Sequence, residues 1–217
     1  MANMKPGSKT KIVDITKIGE YEKYLYRCIT GPFRRYRKRI EYLNKAIPKG
    51  FYKKLLIFNG EVVGQIEYSP AEVSYYPIMG DNVIVMNCIW VLRKAKGHNF
   101  GKQLLEEMIK SEKDASSFAT IALENHWNPW FKKWQIEKLG FKRLDSIRVA
   151  HKTKYKGQVF GIYLMWMPIT ENVKPPRWNQ QKLLEGITFC VAHPLYHPQT
   201  YEQRQILENI SQRAQEA

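Results

Sequence analysis

The chain has 217 residues, of which 44% are hydrophobic and 25% charged, values that are ordinary for a soluble globular protein. No apolar run approaches the roughly 20 residues that a membrane helix needs, and the first residues lack the apolar stretch of a secretory signal peptide. Three cysteines, Cys28, Cys88 and Cys190, lie far apart and are odd in number. We therefore expect no disulfide framework and a cytoplasmic protein that does not enter a membrane.

The formal net charge is +15, and basic residues concentrate at Arg34, Arg35, Arg37, Lys38 and Arg39. A positive field of this size favours anionic partners, including nucleic acid, anionic membranes and phosphorylated cofactors. The same residues are also typical of the solvated face of a helix. Charge alone does not decide the function.

The first predicted elements are one strand and two helices. Residues from Lys11 to Thr16 alternate well enough to form a short strand. From Ile18 to Ala46 the apolar spacing becomes helical, and Gly31-Pro32 divides this segment into two helices, the second of them very basic.

A hairpin and a central strand follow. The apolar runs Leu55 to Phe58 and Val62 to Ile66 are joined by Asn59-Gly60, and both turn residues accept the positive φ of a type I′ turn. Val83 to Val91 is almost wholly apolar, which is typical of a strand covered on both faces. A loop rich in Lys and Gly then leads into a helix from Gly101 onward.

Four further elements complete the main domain: a strand at Ala119 to Leu123, a helix at Pro129 to Leu139, and strands at Phe141 to Ala150 and Val159 to Met167. The order predicts an α/β fold in which helices flank a central mixed β-sheet.

The composition changes after Pro168, and Pro175-Pro176 reads as a linker. We predict one more strand at Leu183 to Val191 and a solvated helix at Gln203 to Gln215. The chain is therefore divided into a domain of residues 1–170 and a short C-terminal extension of residues 171–217. The extension is too small to hold a core alone and is expected to pack on the main domain.

The loop after the central strand carries the chemical information. It holds Gly97 and Gly101, and an amphipathic helix begins where it ends. Such a junction directs unpaired backbone N–H groups and the positive end of a helix dipole to one point, which suits a pyrophosphate. Lys96 and Lys102 add positive charge. The glycine spacing fits neither a Walker loop nor a dinucleotide fingerprint.

Six consecutive residues fit a cofactor-binding pattern, [Q/R]-x-x-G-x-[G/A]: Lys96, Gly97, His98, Asn99, Phe100 and Gly101. Lys96 replaces the Arg or Gln, and Asn99 stands where the first glycine is usual. Asn tolerates a left-handed backbone best among the other residues. The pattern resembles that of the GNAT superfamily, the acyl-CoA-dependent N-acyltransferases.

Companion motifs strengthen the resemblance, which covers about Ile12 to Ile169. The hairpin sequence from Gly60 to Gly64 matches the family's G-x-x-V-G, and Leu104-Leu105 follow the loop as the family's paired leucines do. The segment Trp134 to Phe141 looks like the family's helix ending in K-x-G-F.

The resemblance implies a splay between the parallel strands that contain Ile89 and Ala119. The pantetheine arm of the cofactor would lie there and bond to the backbone near Ile89 and Val91. Asn125 or Asn128 could hydrogen-bond to the same arm, and Trp134 could pack against the cofactor or simply in the core. The implied reaction is transfer of an acetyl group from acetyl-CoA to an amine by direct attack on the thioester.

Direct attack needs a base for the ammonium group, and three residues are candidates: Glu67 on the hairpin, and Glu124 and His126 after the next strand. His126 has the most suitable unperturbed pKa, whereas each Glu would need a raised pKa or an intervening water. The family often places an acidic Tyr four residues before the G-F glycine, and Ile136 stands there in this sequence.

Alternatives remain open. Cys190, His193 and His197 could supply three metal ligands, but a structural zinc site needs a fourth, so we expect a packing segment and no metal. The runner-up function is a nucleic-acid-binding protein on an altered GNAT fold, with Phe33 and Tyr36 interleaved in the basic helix. The sequence does not identify the acceptor amine, and the extension could form a homodimer contact.

Overall fold

The computed structural model describes residues 9–17, 19–30, 36–127, 129–152, 156–185, 187, 190–195 and 205–211. The strands are β1 Thr10–Asp14, β2 Tyr52–Phe58, β3 Glu61–Pro70, β4 Ile78–Met79, β5 Val83–Val91, β6 Ser117–Glu124, β7 Lys142–His151, β8 Val159–Pro168, β9 Arg177–Trp178 and β10 Leu207–Asn209. The helices are α1 Glu22–Leu25, α2 Arg37–Ala46, α3 Phe100–Ser111, α4 Lys133–Lys138 and α5 Gln180–Leu184. No helix within these ranges is long and apolar enough to cross a membrane.

Eight strands form one mixed sheet in the order β1-β2-β3-β5-β6-β8-β7-β10. Neighbouring strands are antiparallel except β5 and β6, which are parallel. These two pair only from Val83 opposite Ser117 to Val85 opposite Ala119. Both strands continue beyond that point without pairing to each other, so the predicted splay is present.

Apolar side chains cover both faces of the sheet. Leu55 and Leu56 are adjacent on β2 but belong to different apolar clusters, because successive side chains of a strand point to opposite faces. Leu56 faces the cluster that contains side chains of α3. Gly64, opposite Leu56 on β3, lets this helix pack closely, because a Cβ added there would lie 3.2 Å from Leu104. Leu55 faces the cluster that contains Leu43 of α2.

The hairpin turn between β2 and β3 has the predicted conformation. Asn59 and Gly60 both have positive φ, 50° and 80°. Amide and glycine residues reach this region at little cost, which explains why the Asn-Gly pair was a reliable local signal.

Two helices at the start and middle of the domain are shorter than predicted. The helix expected from Ile18 is reduced to a 3-10 turn, Gly19–Tyr21, and the four residues of α1. The helix expected from Pro129 begins at Lys133, because Phe131 has a φ of 50° and its carbonyl accepts a hydrogen bond from Leu123 N. Tertiary contacts override helix periodicity in both places.

The extension contacts the preceding part of the chain at several points. β10 pairs antiparallel with β7, β9 pairs with β4, and the buried Tyr76 hydroxyl donates to the carbonyl of Ala192 at 2.9 Å.

Two predictions for the extension were wrong. The expected strand at Leu183 to Val191 begins instead with the end of α5, whose N-cap Asn179 accepts a bond from Lys182 N. The part of the expected terminal helix within residues 205–211 forms β10. The open edge of β7 offers unpaired backbone groups, and pairing with a strand satisfies them.

Candidate functional site

The loop between β5 and α3 ends at a helix N-terminus that has no side-chain cap. Asn99 occupies the N-cap position with a φ of 56° and makes no capping hydrogen bond. The left-handed backbone expected for Asn99 is therefore present. The first N–H groups of a helix lack partners within it, so this terminus is suited to an anionic ligand.

Gly97 and Gly101 leave open space beside the loop. Apart from its chain neighbours and, for Gly101, the backbone of its own helix, a Cβ added at either residue would meet no atom of the described residues within 4 Å. Gly97 has a φ of 87°, which only glycine adopts readily, whereas Gly101 has no such backbone constraint. Packing inside the protein does not explain the glycine at 101, but close approach by a ligand does.

The other residues predicted to bind the cofactor at this loop divide into two groups. Lys96 and Lys102 are exposed beside it, with Lys102 3.6 Å from Glu106. The rings of His98 and Phe100 lie 5.0 Å apart and both pack on Phe58. These two side chains brace the loop, so any contribution they make to phosphate binding comes from their backbone.

The free edge of β5 faces the splay. Leu92 N donates to Val63 O of β3 at 2.8 Å, and backbone groups alternate sides along a strand. The N–H and C=O groups of Ile89 and Val91 therefore point away from β3, into the region where β5 and β6 have separated. This is the backbone edge that the sequence predicted for the pantetheine arm.

A bulge lies near the inner end of the splay. Tyr68 of β3 is opposite Met86, but Glu67 is opposite Cys88, so Asn87 is an extra residue on β5. Its side chain donates to Ser69 Oγ at 3.0 Å, and its carbonyl accepts from Tyr75 OH at 2.6 Å. Bulges re-aim the backbone and side chains of a strand, and this one is held by hydrogen bonds.

The remaining cofactor predictions lie near α4. Trp134 is 55% exposed on that helix, with the Lys138 ammonium group 4.9 Å from its ring. An aromatic ring on a solvent-facing helix surface is available to a ligand but does not pack in the core. Asn128 lies outside the described residues.

Glu67, the first candidate base, is fully buried in an ion-pair cluster. Its Oε1 accepts from Arg39 Nη2 at 2.9 Å and lies 2.7 Å from Lys53 Nζ. Burial on its own would raise the pKa of Glu67, but the two cations outweigh it and hold the pKa below its usual range. The carboxylate is charged at neutral pH.

The Glu67 cluster also changes the interpretation of the basic helix. Arg39 is completely buried and donates to Leu25 O, so it belongs to the core and not to a surface patch. Arg37 and Lys38 are exposed, and Arg37 pairs with Glu41 at 2.7 Å. Arg34 and Arg35 lie outside the described residues. A nucleic-acid partner for this helix stays a prediction.

Glu124, the second candidate, ends β6 at the splay with a partly exposed carboxylate. It accepts a short hydrogen bond from Tyr163 OH of β8 and another from Lys133 Nζ at 3.0 Å. The Tyr163 hydroxyl, and then Lys133, lower the pKa of Glu124, while the same carboxylate raises the pKa of Tyr163. The acid stays ionised and the phenol stays protonated at neutral pH.

Neither Tyr163 nor Lys133 was predicted from the sequence. Tyr163 lies opposite Ala122 on the neighbouring strand, and its ring crosses Gly161, where a Cβ would lie only 2.7 Å from that ring. The sequence did offer one signal for Tyr163. A glycine two residues before a tyrosine on a strand lies on the same face and leaves room for the tyrosine ring to lie across it.

His126, the third candidate, is buried in the loop after β6. Its ring centroid lies 4.5 Å from that of Phe160 and 6.0 Å from that of His151. Burial, helped by the charges of His151 and Lys132, lowers the pKa of His126 to about 4. His126 is thus neutral at physiological pH and enclosed by aromatic residues.

The segment weighed as a metal site also packs against an aromatic ring. His193 is buried with its ring centroid 4.4 Å from that of Trp130, and burial lowers its pKa to about 4. Within the part of the chain that the structure describes, no three His, Cys, Asp or Glu residues are grouped to hold a metal ion. His197 lies outside it.

Buried histidines predict acid sensitivity. His126 and His193 have lower pKa values in the folded state than the usual value of about 6.5, so the unfolded chain binds their protons first. We expect the free energy of unfolding to fall as the pH drops below about 6.5 and to keep falling to about 4. Urea unfolding at a series of pH values measures this, and His126→Phe should flatten the dependence. An unchanged slope in that variant would contradict the assignment.

Together, the splay, the bulge and the uncapped helix N-terminus form the arrangement that the sequence predicted for an acyl-CoA-dependent acyltransferase. The profile of the family described as "Acetyltransferase (GNAT) family" matches residues 20–141, more than half of the chain. The chain belongs to this family. It is an acetyltransferase.

Solved structures show the same fold at low sequence identity. An N-acetyltransferase from Staphylococcus aureus Mu50 matches with a TM-score of 0.52 and 14% identity, over 75% of this chain and 99% of its own. A protein of Desulfovibrio desulfuricans assigned to the GNAT family gives 0.53 and 10%, over 75% and 100%. Each match leaves a quarter of this chain without a counterpart. Among curated proteins, no sequence matches significantly.

Proposed function

We propose that this acetyltransferase moves the acetyl group of acetyl-CoA to a primary amine, by direct attack of the amine on the thioester. The observation that carries the proposal is the splayed strand pair that leads to an uncapped helix with open space at Gly97 and Gly101. That arrangement supports binding of the pyrophosphate at the N-terminus of α3.

The cofactor arm would run from the loop back along β5. The N–H and C=O groups of Ile89 and Val91 are free to bond to its amides, as an added strand would. Residues rise about 3.3 Å each along a strand, so an arm that follows β5 inward from Val91 reaches the bulge at Asn87 after about four residues. The thioester would then lie in the splay between β5 and β6.

Glu124 and Tyr163 are proposed as the groups that move protons. Glu124 is the one candidate base whose carboxylate is both ionised and accessible, and it would take the proton of the attacking amine, through a water if necessary. Tyr163 keeps its proton at neutral pH and would supply the acid for the departing thiolate. It would replace the Tyr that the family often carries where Ile136 stands.

Conservative variants test the proton-transfer roles. Tyr163→Phe and Glu124→Gln should each lower kcat on the order of 10²-fold, the usual contribution of a general acid or base, with little change in KM for acetyl-CoA. The rate is measured from the release of free CoA thiol at a series of pH values. Glu137→Gln is the matched control, since Glu137 also pairs with Lys133 at 3.5 Å but is not hydrogen-bonded to Tyr163. Equal losses in all three variants would point to placement of Lys133 and refute the proposed roles.

An acceptor panel tests the amine. Acetyl transfer should occur to a peptide N-terminus, a lysine side chain or a small alkylamine, and should fail with the matched alcohols. Mass spectrometry of each product gives the site of acetylation. Transfer to alcohols alone would overturn direct attack by an amine.

A further inference from the structure

The three cysteines have different surroundings. Cys28, just after α1, and Cys88, on β5, are both buried. The amide Nε2 of Gln65 lies 3.1 Å from Cys88 Sγ and 3.7 Å from Cys28 Sγ. Cys190 is also buried and belongs to the extension. The structure therefore brings together two thiols that are 60 positions apart in the sequence.

The surroundings place the negative charge on one sulfur of this pair. The hydrogen bond with Cys88 lowers the pKa of Cys28, and Thr30, whose Oγ1 lies 3.3 Å from the sulfur, and the charge of Lys53 act in the same direction against burial. The same hydrogen bond, burial and the nearby Glu67 raise the pKa of Cys88. The thiolate is the nucleophile in disulfide formation, so a thiolate with a second thiol nearby can form a disulfide once an oxidant reaches it.

We propose that Cys28 and Cys88 are a redox site that hydrogen peroxide closes into a reversible disulfide. The Cys28 thiolate attacks one peroxide oxygen, the O–O bond breaks, and a sulfenic acid and hydroxide form. Cys88 sulfur then attacks Cys28 sulfur, the S–O bond breaks, and hydroxide leaves. The two thiol protons convert both hydroxides to water, so two electrons pass from the thiols to one peroxide.

The position of the pair connects oxidation to the site. Cys88 directly follows the bulge residue Asn87, and Cys28 lies in the turn that joins α1 to the next segment. This turn accepts hydrogen bonds from the cations that hold Glu67: Leu25 O accepts from Arg39 and Arg27 O from Lys53.

Closing the sulfurs to bonding distance pulls this turn toward β5 and disturbs both the bulge and the cations. We therefore expect the oxidised protein to lose acetyl transfer. That consequence rests on the proposed function, whereas disulfide formation does not.

Mass spectrometry of the full-length protein tests the pair directly. Reduced protein is treated with hydrogen peroxide, blocked with an alkylating reagent in denaturant, and compared with an untreated sample. We expect the loss of two hydrogen atoms, one alkylated thiol instead of three, a peptide linking Cys28 to Cys88, and full reversal by dithiothreitol. Oxidation that only adds oxygen, or a link to Cys190, would overturn the proposal.

Serine variants distinguish the cysteine that reacts with peroxide from the one that then closes the disulfide, and their readout does not depend on activity. Cys190→Ser, the matched control, should form the disulfide as the parent protein does. Cys88→Ser should stop at a sulfenic acid on Cys28 that dimedone labels, and Cys28→Ser should give no such label. Circular dichroism checks that each variant is folded. Disulfide formation that persists in either Cys28→Ser or Cys88→Ser would refute the pairing.

Acetyl-transfer rates before and after peroxide then test the consequence. The parent protein and Cys190→Ser should lose activity at least tenfold and recover it with dithiothreitol, in step with the disulfide. A disulfide without loss of activity would refute regulation while leaving the redox site in place. Absence of transfer in the reduced protein would instead count against the proposed function.

Discussion

Gly101→Leu is expected to weaken binding of acetyl-CoA by on the order of 10²-fold or more without lowering thermal stability. The Leu side chain would fill the open space at the N-terminus of α3 that the pyrophosphate needs. Charge-assisted hydrogen bonds contribute about 1.5–3 kcal/mol each, so the loss of two corresponds to at least this change in affinity. Glycine in a helix costs about 0.5–1 kcal/mol relative to alanine, which favours the variant's fold. Calorimetric titration and thermal unfolding measure the two effects.

Gly19→Leu is the control for this substitution. Gly19 also has open space at its Cβ and no left-handed backbone, but it lies in the 3-10 turn before α1. Its replacement should leave the affinity for acetyl-CoA unchanged. If Gly101→Leu bound acetyl-CoA as tightly as Gly19→Leu, the phosphates would have to bind elsewhere.

The backbone conformation of the hairpin turn, β5 and the loop could be predicted from the sequence because the signals are local. The Asn59-Gly60 turn, the apolar run of β5 and the glycines of the loop each specify a backbone conformation within a few residues. Asn99 is the sharpest example. The expectation that it replaces a glycine in left-handed backbone needed only its own residue type, and its φ is 56°.

The partners of the two candidate glutamate bases could not be predicted in the same way, because they come from distant segments of the chain. The Glu124 carboxylate accepts a hydrogen bond from a tyrosine 39 positions away. The Glu67 carboxylate pairs with a lysine on the previous strand and with an arginine 28 positions before it. Both carboxylates therefore have lowered pKa values, so of the two expected conditions for a glutamate base, a raised pKa or an intervening water, only the water remains.

The secondary structure predicted for the extension was wrong for a related reason. Its residues Leu207 and Glu208 pair with His151 and Ala150 of β7, so an available sheet edge decided the conformation. Helix periodicity over a polar stretch carries no information about such an edge. Strand β10 accordingly replaces the described part of the predicted helix.

Glu67→Gln is expected to lower the free energy of unfolding at neutral pH by about 3–5 kcal/mol, the usual cost of breaking a buried ion pair from one side. Arg39 and Lys53 would be left in the core without the carboxylate that both contact, and all three side chains are completely buried. Urea unfolding at pH 7 measures the loss. Glu41→Gln is the control, because its pair with Arg37 is exposed and such pairs contribute at most about 1 kcal/mol.

The difference in free energy of unfolding between Glu67→Gln and the parent protein should depend on pH, and that dependence shows whether the ion pairs cause it. The folded pKa of Glu67 is lowered, so its stabilising contribution is present above the unfolded pKa of about 4.3 and is lost as the pH falls through the folded value. The two proteins should therefore converge in stability in acid. Adding Lys53→Met to Glu67→Gln removes one of the unpaired cations, and the double variant should be more stable than Glu67→Gln alone. A constant difference at every pH, with no recovery in the double variant, would mean that side-chain packing accounts for the loss and that the ion pairs do not.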